Sequence, residues 1–319
     1  MMSLPEPVLP VTSRIARLAQ RLGLGGHSPR QILDQASRIK LPFAPIPEAA
    51  PSIFWQDGPC LQRFVDLPRS ALSGPIQEDK ARARAALTRL VRQEQSTHLT
   101  VDLRQVDGVG GHSAGAVAYP TFEALSATPA CRQLRVISYK DFVRTLTTAL
   151  PNFEARMPVE LRQASWMGER LYWSGEHHVE SFACAIAYAR LRGLEVNLPC
   201  ELVDYRLDAS GLQALDNQYH AVTMPAQAWD DREFMGLLLE AKIPYARLTL
   251  LNNASNSELL LLEKDQPCAS ALGEGLKLAG APDMVRYLRD LPQITRFRIG
   301  NLAAAQNRPF PAPLGDRAV

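Results

Sequence analysis

The sequence lacks the cysteine patterns that mark disulfide-rich domains and zinc sites. Its cysteines are odd in number, and no two of them are spaced like the ligand pairs of a zinc ribbon. The five are Cys60, Cys131, Cys184, Cys200 and Cys268. Because disulfide frameworks belong to oxidising compartments, this usage favours a reducing cytoplasm. It predicts no metal site.

A long hydrophobic run and a strong charge bias are also missing. No stretch approaches the roughly 18 apolar residues that span a bilayer. The start MMSLPEPVLPV has prolines where a signal peptide would have its apolar segment. The 35 basic side chains nearly balance the 33 acidic ones, which gives a formal net charge of +2. We therefore expect a cytoplasmic protein without membrane insertion and without a nucleic-acid partner.

Cofactor and metal motifs with a fixed spacing are missing as well. The chain contains no GxGxxG string, no Walker A string, no HExxH and no EF-hand loop. Each of these would place a phosphate or a metal ion on a defined turn. The sequence therefore predicts no cofactor.

What the sequence does contain is an alternation of helical and extended patterns, which is typical of α/β proteins. We predict an α/β fold of mixed sheets with flanking helices, divided into two packed α/β halves behind an N-terminal helical appendage. The predicted segments are a helical and proline-rich appendage at 1–50, a first half at 51–155, a second half with C-terminal helices at 156–300 and a loose tail at 301–319.

In the first half, apolar spacing predicts a helix at about 77–94 and a strand over LTVDL at 99–103. The pattern continues with a helix from about 113 to 126, a strand over LRVIS at 134–138 and a helix from about Asp141 to Leu150.

In the second half, alternation around Met167 and Gly168 predicts a hairpin or one long bent strand. A helix at 176–192 should end at Gly193, because glycine suits a C-cap. The remaining predicted elements are strands at about 194–206, 220–224, 246–251 and 258–263, and helices near 210–218, 230–241 and 268–290.

The appendage contains two predicted amphipathic helices. Ser28-Pro29-Arg30-Gln31 has the composition of a helix start, with an N-cap serine, a proline at the first helical position and a capping-box glutamine. An earlier helix is predicted from about Ser13 to Leu24. Because glycines and a proline-rich stretch loosen their tie to the rest, we predict that residues 1–50 are dispensable for folding of the core. They would serve self-association or partner docking.

The sharpest local string is Gly111-His112-Ser113-Ala114-Gly115, which matches the GxSxG nucleophile elbow of α/β-hydrolases. Ser113 would be the nucleophile. Asp204 or Asp208, followed by His220, would complete the serine, acid, histidine order. The alternative is a helix start rich in small residues, because the preceding apolar strand ends several residues before the first glycine.

A second polar group lies in Trp173-Ser174-Gly175-Glu176-His177-His178-Val179-Glu180, where a predicted strand turns into a helix. Ligands in open α/β sheets bind at the carboxyl ends of strands. Glu176, His177, His178 and Glu180 are therefore predicted binding residues. Adjacent histidines project in different directions, which disfavours a shared metal. The alternative is a solvated first helical turn, whose carboxylates suit the helix dipole.

Residues 99–150 resemble a sulfate-transporter and anti-sigma-antagonist (STAS) domain. The resemblance rests on LTVDL, Val106, Val109, the Gly110–Ser113 turn, LRVIS and DFVRTLTTALP. It implies a strand, helix, strand, helix order. In the aligned register the family's phosphorylated serine is absent, so the resemblance implies the scaffold alone.

A longer stretch resembles an uncharacterised bacterial family of unknown function. It comprises LYWSGEHHVESFACAIAYARLRGLEV followed by YHAVTMPAQAWDDREFMGLLLEAKIPYARLTLL, within about 95 to 265. The resemblance implies a bacterial, cytoplasmic protein and carries neither an activity nor a site.

Two functional hypotheses follow. The first is a regulatory or protein-interaction protein on an α/β scaffold, with a protein partner or self-association. It rests on the STAS-like segment, the missing catalytic motifs and the appended helices. The alternative is a serine hydrolase of α/β-hydrolase type that uses the string at 111–115.

Overall fold

The structure is a computed structural model of the chain, and it describes residues 28–46, 48, 50–113, 118–249, 257–292 and 295. The predicted helix from Ser13 to Leu24 and the predicted tail at 301–319 lie outside these residues.

Nine strands are found in the described ranges, and they form two sheets. The strands are β1 (Leu72–Ser73), β2 (Val91–Asp102), β3 (Val106–Val109), β4 (Val159–Ala164), β5 (Leu171–Trp173), β6 (Asn197–Leu207), β7 (Tyr219–Pro225), β8 (Ala246–Thr249) and β9 (Ser257–Glu263).

The α-helices of the same ranges lie before, between and after these strands. They are α1 (Pro29–Ser37), α2 (Gln77–Leu87), α3 (Phe122–Ser126), α4 (Pro129–Arg132), α5 (Tyr139–Ala149), α6 (Val179–Arg192), α7 (Ala209–Gln218), α8 (Arg232–Glu240) and α9 (Pro267–Leu278). Residues 284–292 are also helical. Short 3-10 helices occur at Trp55–Asp57, Leu61–Phe64, Arg69–Ala71, Leu103–Gln105, Ser165–Met167 and Ala226–Asp230.

The five-stranded sheet is mixed and has the order β2-β6-β4-β5-β3. β2 pairs antiparallel with β6, and β4 pairs antiparallel with β5, which confirms the predicted hairpin around Met167 and Gly168. The pairs β4 with β6 and β3 with β5 are parallel. Strands from both sides of residue 155 therefore share this sheet, and the predicted boundary runs through it.

The four-stranded sheet is antiparallel and has the order β1-β8-β9-β7. Its edge strand β1 comes from the first predicted half, and the other three come from the second. The prediction of an α/β fold with mixed sheets and flanking helices is confirmed. The chain, however, interleaves its two predicted halves in both sheets.

A central hydrophobic cluster contains side chains from both sheets, among them Tyr172 from β5 and Leu259 from β9. Alternate residues of the strands point the other way, toward helices. Leu161 of β4 packs with Phe182 of α6 in a second cluster, and Leu260 of β9 packs in a third. Each sheet therefore has one face on the shared core and one face under helices, as period-two alternation requires.

Helix α1 is part of this packing. Ser28 caps it with the predicted capping box, and Pro29 is its first residue. Ile32 and Ala36 are fully buried in the third cluster, and the Ala36 side chain contacts α9 beside Gly275. This burial argues against the prediction that residues 1–50 are dispensable for the core, for the part from Ser28 onward, because removal of that part would expose apolar surface.

Two elements of the first half also differ from prediction. The helix predicted at 77–94 ends at Leu87, and Leu90 and Val91 are buried as the chain enters β2. The strand predicted at 134–138 is absent: residues 134–138 form no regular structure. Leu134 and Val136 pack on the second cluster without a strand partner, so their alternation reflects packing on helices. The strand required by the STAS resemblance is therefore missing.

The described part of the helix predicted at 113–126 is also shorter, because α3 begins only at Phe122. None of the described helices combines the length and the apolar character that crossing a bilayer requires.

Candidate functional site

The candidate site lies where two parallel strands end at one edge of the five-stranded sheet. β3 and β5 run parallel, with Val109 opposite Trp173 in the register. On the other side of β3, Phe54 bridges Val109 in parallel orientation. The carboxyl ends of parallel strands are the usual place for ligands in open α/β sheets. The polar residues that follow β3 and β5 are therefore brought together at this edge.

The two predicted turns, at 110–113 and 174–178, contact each other directly. The Gly110 N–H donates hydrogen bonds to the carbonyl oxygens of Trp173, at 2.6 Å, and Gly175, at 3.0 Å. A Cβ atom at Gly110 would lie 2.7 Å from the Ser174 carbonyl oxygen, which is closer than a side chain tolerates. A glycine at this position thus allows the two backbones to approach.

A third segment, at Gln56 and Asp57, forms hydrogen bonds with both turns. The Gln56 N–H donates to the Gly111 carbonyl at 2.9 Å, and the Gln56 side-chain amide donates to the Glu176 carboxylate at 3.2 Å. Asp57 accepts from the Ser113 N–H at 3.0 Å and from the Ser52 hydroxyl at 2.6 Å. We call residues 56–57, 110–113 and 174–178 the turn cluster.

The predicted binding residues lie on the outer side of the turn cluster. Glu176, His177, His178 and Glu180 are all exposed. Helix α6 begins at Val179 and not at 176, with His178 at its N-cap in the left-handed conformation, at φ 53°. Glu180 lies in the first turn of α6, where the helix dipole favours a carboxylate. In the described ranges, no three histidine, cysteine or acidic side chains come close enough to hold a metal ion.

The predicted serine, acid and histidine are not brought together. Ser113 follows β3 at the edge of the five-stranded sheet. His220 lies on β7 in the four-stranded sheet, and its Nε2 is 3.1 Å from the Ser270 hydroxyl on α9. The imidazole packs against Gly273 of α9, where a Cβ would lie 2.5 Å from the His220 Cβ. His220 is thus a residue of the packing between β7 and α9.

The two candidate acids also have other partners. Asp204, on β6, pairs with Arg206 at 2.7 Å. Asp208 caps α7 by accepting the Gly211 N–H at 2.9 Å, and it pairs with Arg92. The GxSxG spacing could not reveal this, because the partners of an aspartate in the fold are set by strand pairing and not by chain order.

Burial, followed by the nearby positive charges of Lys277 and Lys264, lowers the pKa of His220 to about 4. The side chain is 6% exposed, and its Nδ1 has no hydrogen-bond partner in the described part of the chain. A histidine in this environment stays neutral near pH 7.

A cleft of about 820 Å³ opens beside the turn cluster. It is lined by the 173–175 turn, by the two ends of α5 and the irregular segment 150–158 that follows it, and by the first residues of β4 and β6. β4 and β6 begin at the edge where β5 ends, since β4 is antiparallel to β5 and parallel to β6. The cleft and the turn cluster therefore share one edge of the sheet.

Large apolar side chains at the rim of this cleft are exposed. Tyr139, the first residue of α5, is 63% exposed, and Met157, near the end of the irregular segment, is 55% exposed. Ile137, two residues before Tyr139, is 73% exposed. Charged residues of both signs also line the cleft, namely Glu154, Arg156, Glu160, Arg162 and Glu195.

Sequence reasoning missed this cleft. The signal present in the sequence is the segment PNFEARMP at 151–158, in which two prolines bound a short run that contains Phe153 and Met157. Prolines at both ends disfavour a helix or an inner strand. Surface loops often carry the residues that bind other molecules. Its position opposite the 173–175 turn depends on the sheet order, which the segment itself does not encode.

Comparison with known proteins yields one family match. Residues 96–301 match DUF6685, a family of unknown function, and this range includes the cleft and two of the three segments of the turn cluster. It confirms the resemblance to a family of unknown function. The comparisons give no support to the STAS resemblance. No curated protein and no solved structure matches the chain.

Proposed function

The chain belongs to the DUF6685 family of unknown function, and we propose that it is a non-catalytic interaction protein that holds a partner polypeptide in the cleft beside the turn cluster. The observation that carries the proposal is the exposure of Tyr139 and Met157 at the rim of the cleft. Exposed apolar side chains that gather around one concavity are typical of protein-binding surfaces.

The exposure of the rim favours a polypeptide over a small molecule. A small-molecule pocket buries most of its ligand and encloses its own apolar side chains. Here Tyr139 and Met157, which line the cleft, each expose more than half of their surface, and so does Ile137, which lies two residues before Tyr139 and outside the cleft lining. A macromolecular partner would cover all three, and large apolar and aromatic side chains of this kind supply most of the binding energy in interfaces.

The turn cluster supports the proposal because it fixes one wall of the cleft. Its three segments are joined through backbone and side-chain hydrogen bonds, so the 173–175 wall of the cleft is held in one position. A preformed surface loses little conformational entropy when a partner binds. Glu176, His177 and His178 lie next to this wall and would contact the polar part of the partner.

The hydrolase alternative has less support. Ser113, His220 and Asp204 lie on separate elements and each has a different neighbour. A catalytic triad needs a histidine within hydrogen-bond reach of the serine, and His220 is buried between β7 and α9 instead.

Site-specific crosslinking in the native cell tests the proposal. A photo-reactive phenylalanine analogue is placed at Tyr139 and, separately, at Met157. The matched control carries it at Leu278 of α9, which is 70% exposed and lies on the helices over the other sheet. We expect one and the same protein to be captured from Tyr139 and Met157 and not from Leu278. Equal products from all three positions, or different products from Tyr139 and Met157, would contradict a cleft-specific partner.

A further inference from the structure

Two buried carboxylates, one on α2 and one on β9, share a single arginine. Asp79 lies in the first turn of α2, and Glu263 is the last residue of β9. They are 6% and 7% exposed. One nitrogen of the Arg82 guanidinium lies 2.5 Å from an Asp79 oxygen and 3.1 Å from a Glu263 oxygen. A single positive charge therefore faces two negative charges.

The remaining oxygens of this pair have no partner. Asp79 Oδ2 and Glu263 Oε2 are buried, and neither has a hydrogen bond in the described part of the chain. The Tyr219 hydroxyl donates to the other Glu263 oxygen, at 3.5 Å. Burial raises the pKa of Glu263, and the nearby charges of Asp265 and Asp79 raise it further, while Arg82 opposes them. Buried carboxylates are normally paired or fully hydrogen-bonded, so this cluster is short of positive charge.

Glu263 also lines a pocket of about 420 Å³ that opens to solvent. One wall is negative: it contains Glu263, Asp265 and the C-terminal end of α7 at Asn217, where the helix dipole is negative. The pocket is also lined by α2 and the turn after it, with Arg82, which pairs with Glu263, and the exposed Arg89. The pocket thus contains acidic and basic side chains within one small volume.

We propose that this pocket binds a small zwitterion with an ammonium group and a carboxylate, such as an α-amino acid. The ammonium group would lie beside Glu263 and Asp265 at the pocket surface and add a second positive charge near the Asp79 and Glu263 pair, whose two unpartnered oxygens are themselves buried and would not contact it. The carboxylate would pair with Arg89, because a guanidinium recognises carboxylates through two parallel hydrogen bonds. The volume is within the range of small-molecule sites. This site shares no residue with the interaction cleft, so each proposal can be tested independently of the other.

Thermal melting of the full chain at neutral pH tests the proposal. Each of the common amino acids is added at millimolar concentration, and methylammonium and acetate, as the two half-molecules, serve as ligand controls. A ligand that binds only the folded state at ten times its Kd should raise Tm by about 2 °C. We expect at least one amino acid to do so when neither half-molecule does. Isothermal titration of that amino acid should give one site per chain.

Two variants locate the site. Glu263→Gln and Arg89→Ala should each abolish the rise in Tm and the titration signal. Arg89 is exposed, so its variant folds even if the buried glutamine does not. The matched controls Glu154→Gln and Arg156→Ala make the same chemical changes in the cleft and should leave the rise unchanged. The proposal is overturned if no amino acid exceeds both half-molecules, or if the rise persists in Arg89→Ala.

Discussion

At the scale of single residues, His220 makes the stability of the protein depend on pH. Burial lowers its pKa from 6.5 to about 4. Between these values the unfolded chain binds a proton that the folded chain does not bind, so the free energy of unfolding decreases as the pH falls. This stabilisation is fully present above pH 6.5 and amounts to about 3–4 kcal/mol, at about 1.4 kcal/mol for each pKa unit.

Chemical denaturation over this pH window measures the effect. His220→Gln keeps a polar side chain that does not titrate, so its free energy of unfolding should fall less than that of the natural chain between pH 6.5 and 4. The control is His112→Gln, which removes an exposed histidine from the turn cluster and should keep the natural pH dependence. Parallel curves for His220→Gln and the natural chain would show that His220 is not responsible.

Single residues also show how far the candidate site follows from sequence. The sequence predicts where the polar turns at 110–113 and 174–178 lie along the chain, because local patterns mark the ends of strands. Their partners were not predictable. Gln56 contacts Glu176 across 120 residues of chain, and Asp57 contacts Ser113 across 56 residues. Hydrophobic periodicity indicates which face of an element is buried. It does not indicate which polar residue from a distant part of the chain contacts that element.

At the scale of elements, the close approach of the two turns depends on Gly110. A Cβ at this position would lie 2.7 Å from the Ser174 carbonyl, so Gly110→Ala must push the turns apart. The atom that the new Cβ would meet belongs to the backbone, which moves less easily than a side chain. We therefore expect a loss of about 1–3 kcal/mol in the free energy of unfolding. The spacing of β3 and β5 at the edge of the cleft would change with it.

The matched control is Gly236→Ala in α8. A Cβ there meets nothing within 4 Å, and alanine has the higher helix propensity. This variant should gain about 0.5–1 kcal/mol. Urea denaturation of both variants gives the two differences. If Gly110→Ala is as stable as the natural chain, the packing described at the turn cluster is wrong.

Element boundaries were predicted best where a local cap determines them. The Ser28 capping box and the Gly193 C-cap of α6 are both present as predicted. Predictions of boundaries failed where an apolar residue packs in a different element from the one that its spacing suggests. Leu90 follows the helical spacing of α2, yet it is buried in the central cluster as the chain turns into β2. Val136 alternates as a strand residue would, yet it packs against helices.

At the scale of the whole molecule, the fold class was predictable and the sheet order was not. Alternating helices and strands identified an α/β protein, because period is a local property of the sequence. The two halves predicted to meet near residue 155 are instead interleaved, since β2 pairs with β6 and β1 pairs with β8. Strand pairing depends on contacts between distant segments.

The pairing around β4 forms the cleft. Segment 150–158 leads directly into β4, and the pairs of β4 with β5 and β6 bring this segment together with the turn after β5 and the beginning of β6. Segments from both predicted halves are needed to line it. The proposed interaction surface therefore depends on residues from both predicted halves.

The affinity of the partner for cleft variants tests the central claim most directly. The protein captured through Tyr139 is purified, and its Kd is measured for the natural chain, Tyr139→Ala, Met157→Ala and Leu278→Ala. All three side chains are more than half exposed, so truncation should leave the fold intact. The account predicts a Kd at least about tenfold weaker for Tyr139→Ala and Met157→Ala, and an unchanged Kd for Leu278→Ala. Unchanged affinity in both cleft variants, or an equal loss in Leu278→Ala, would contradict it.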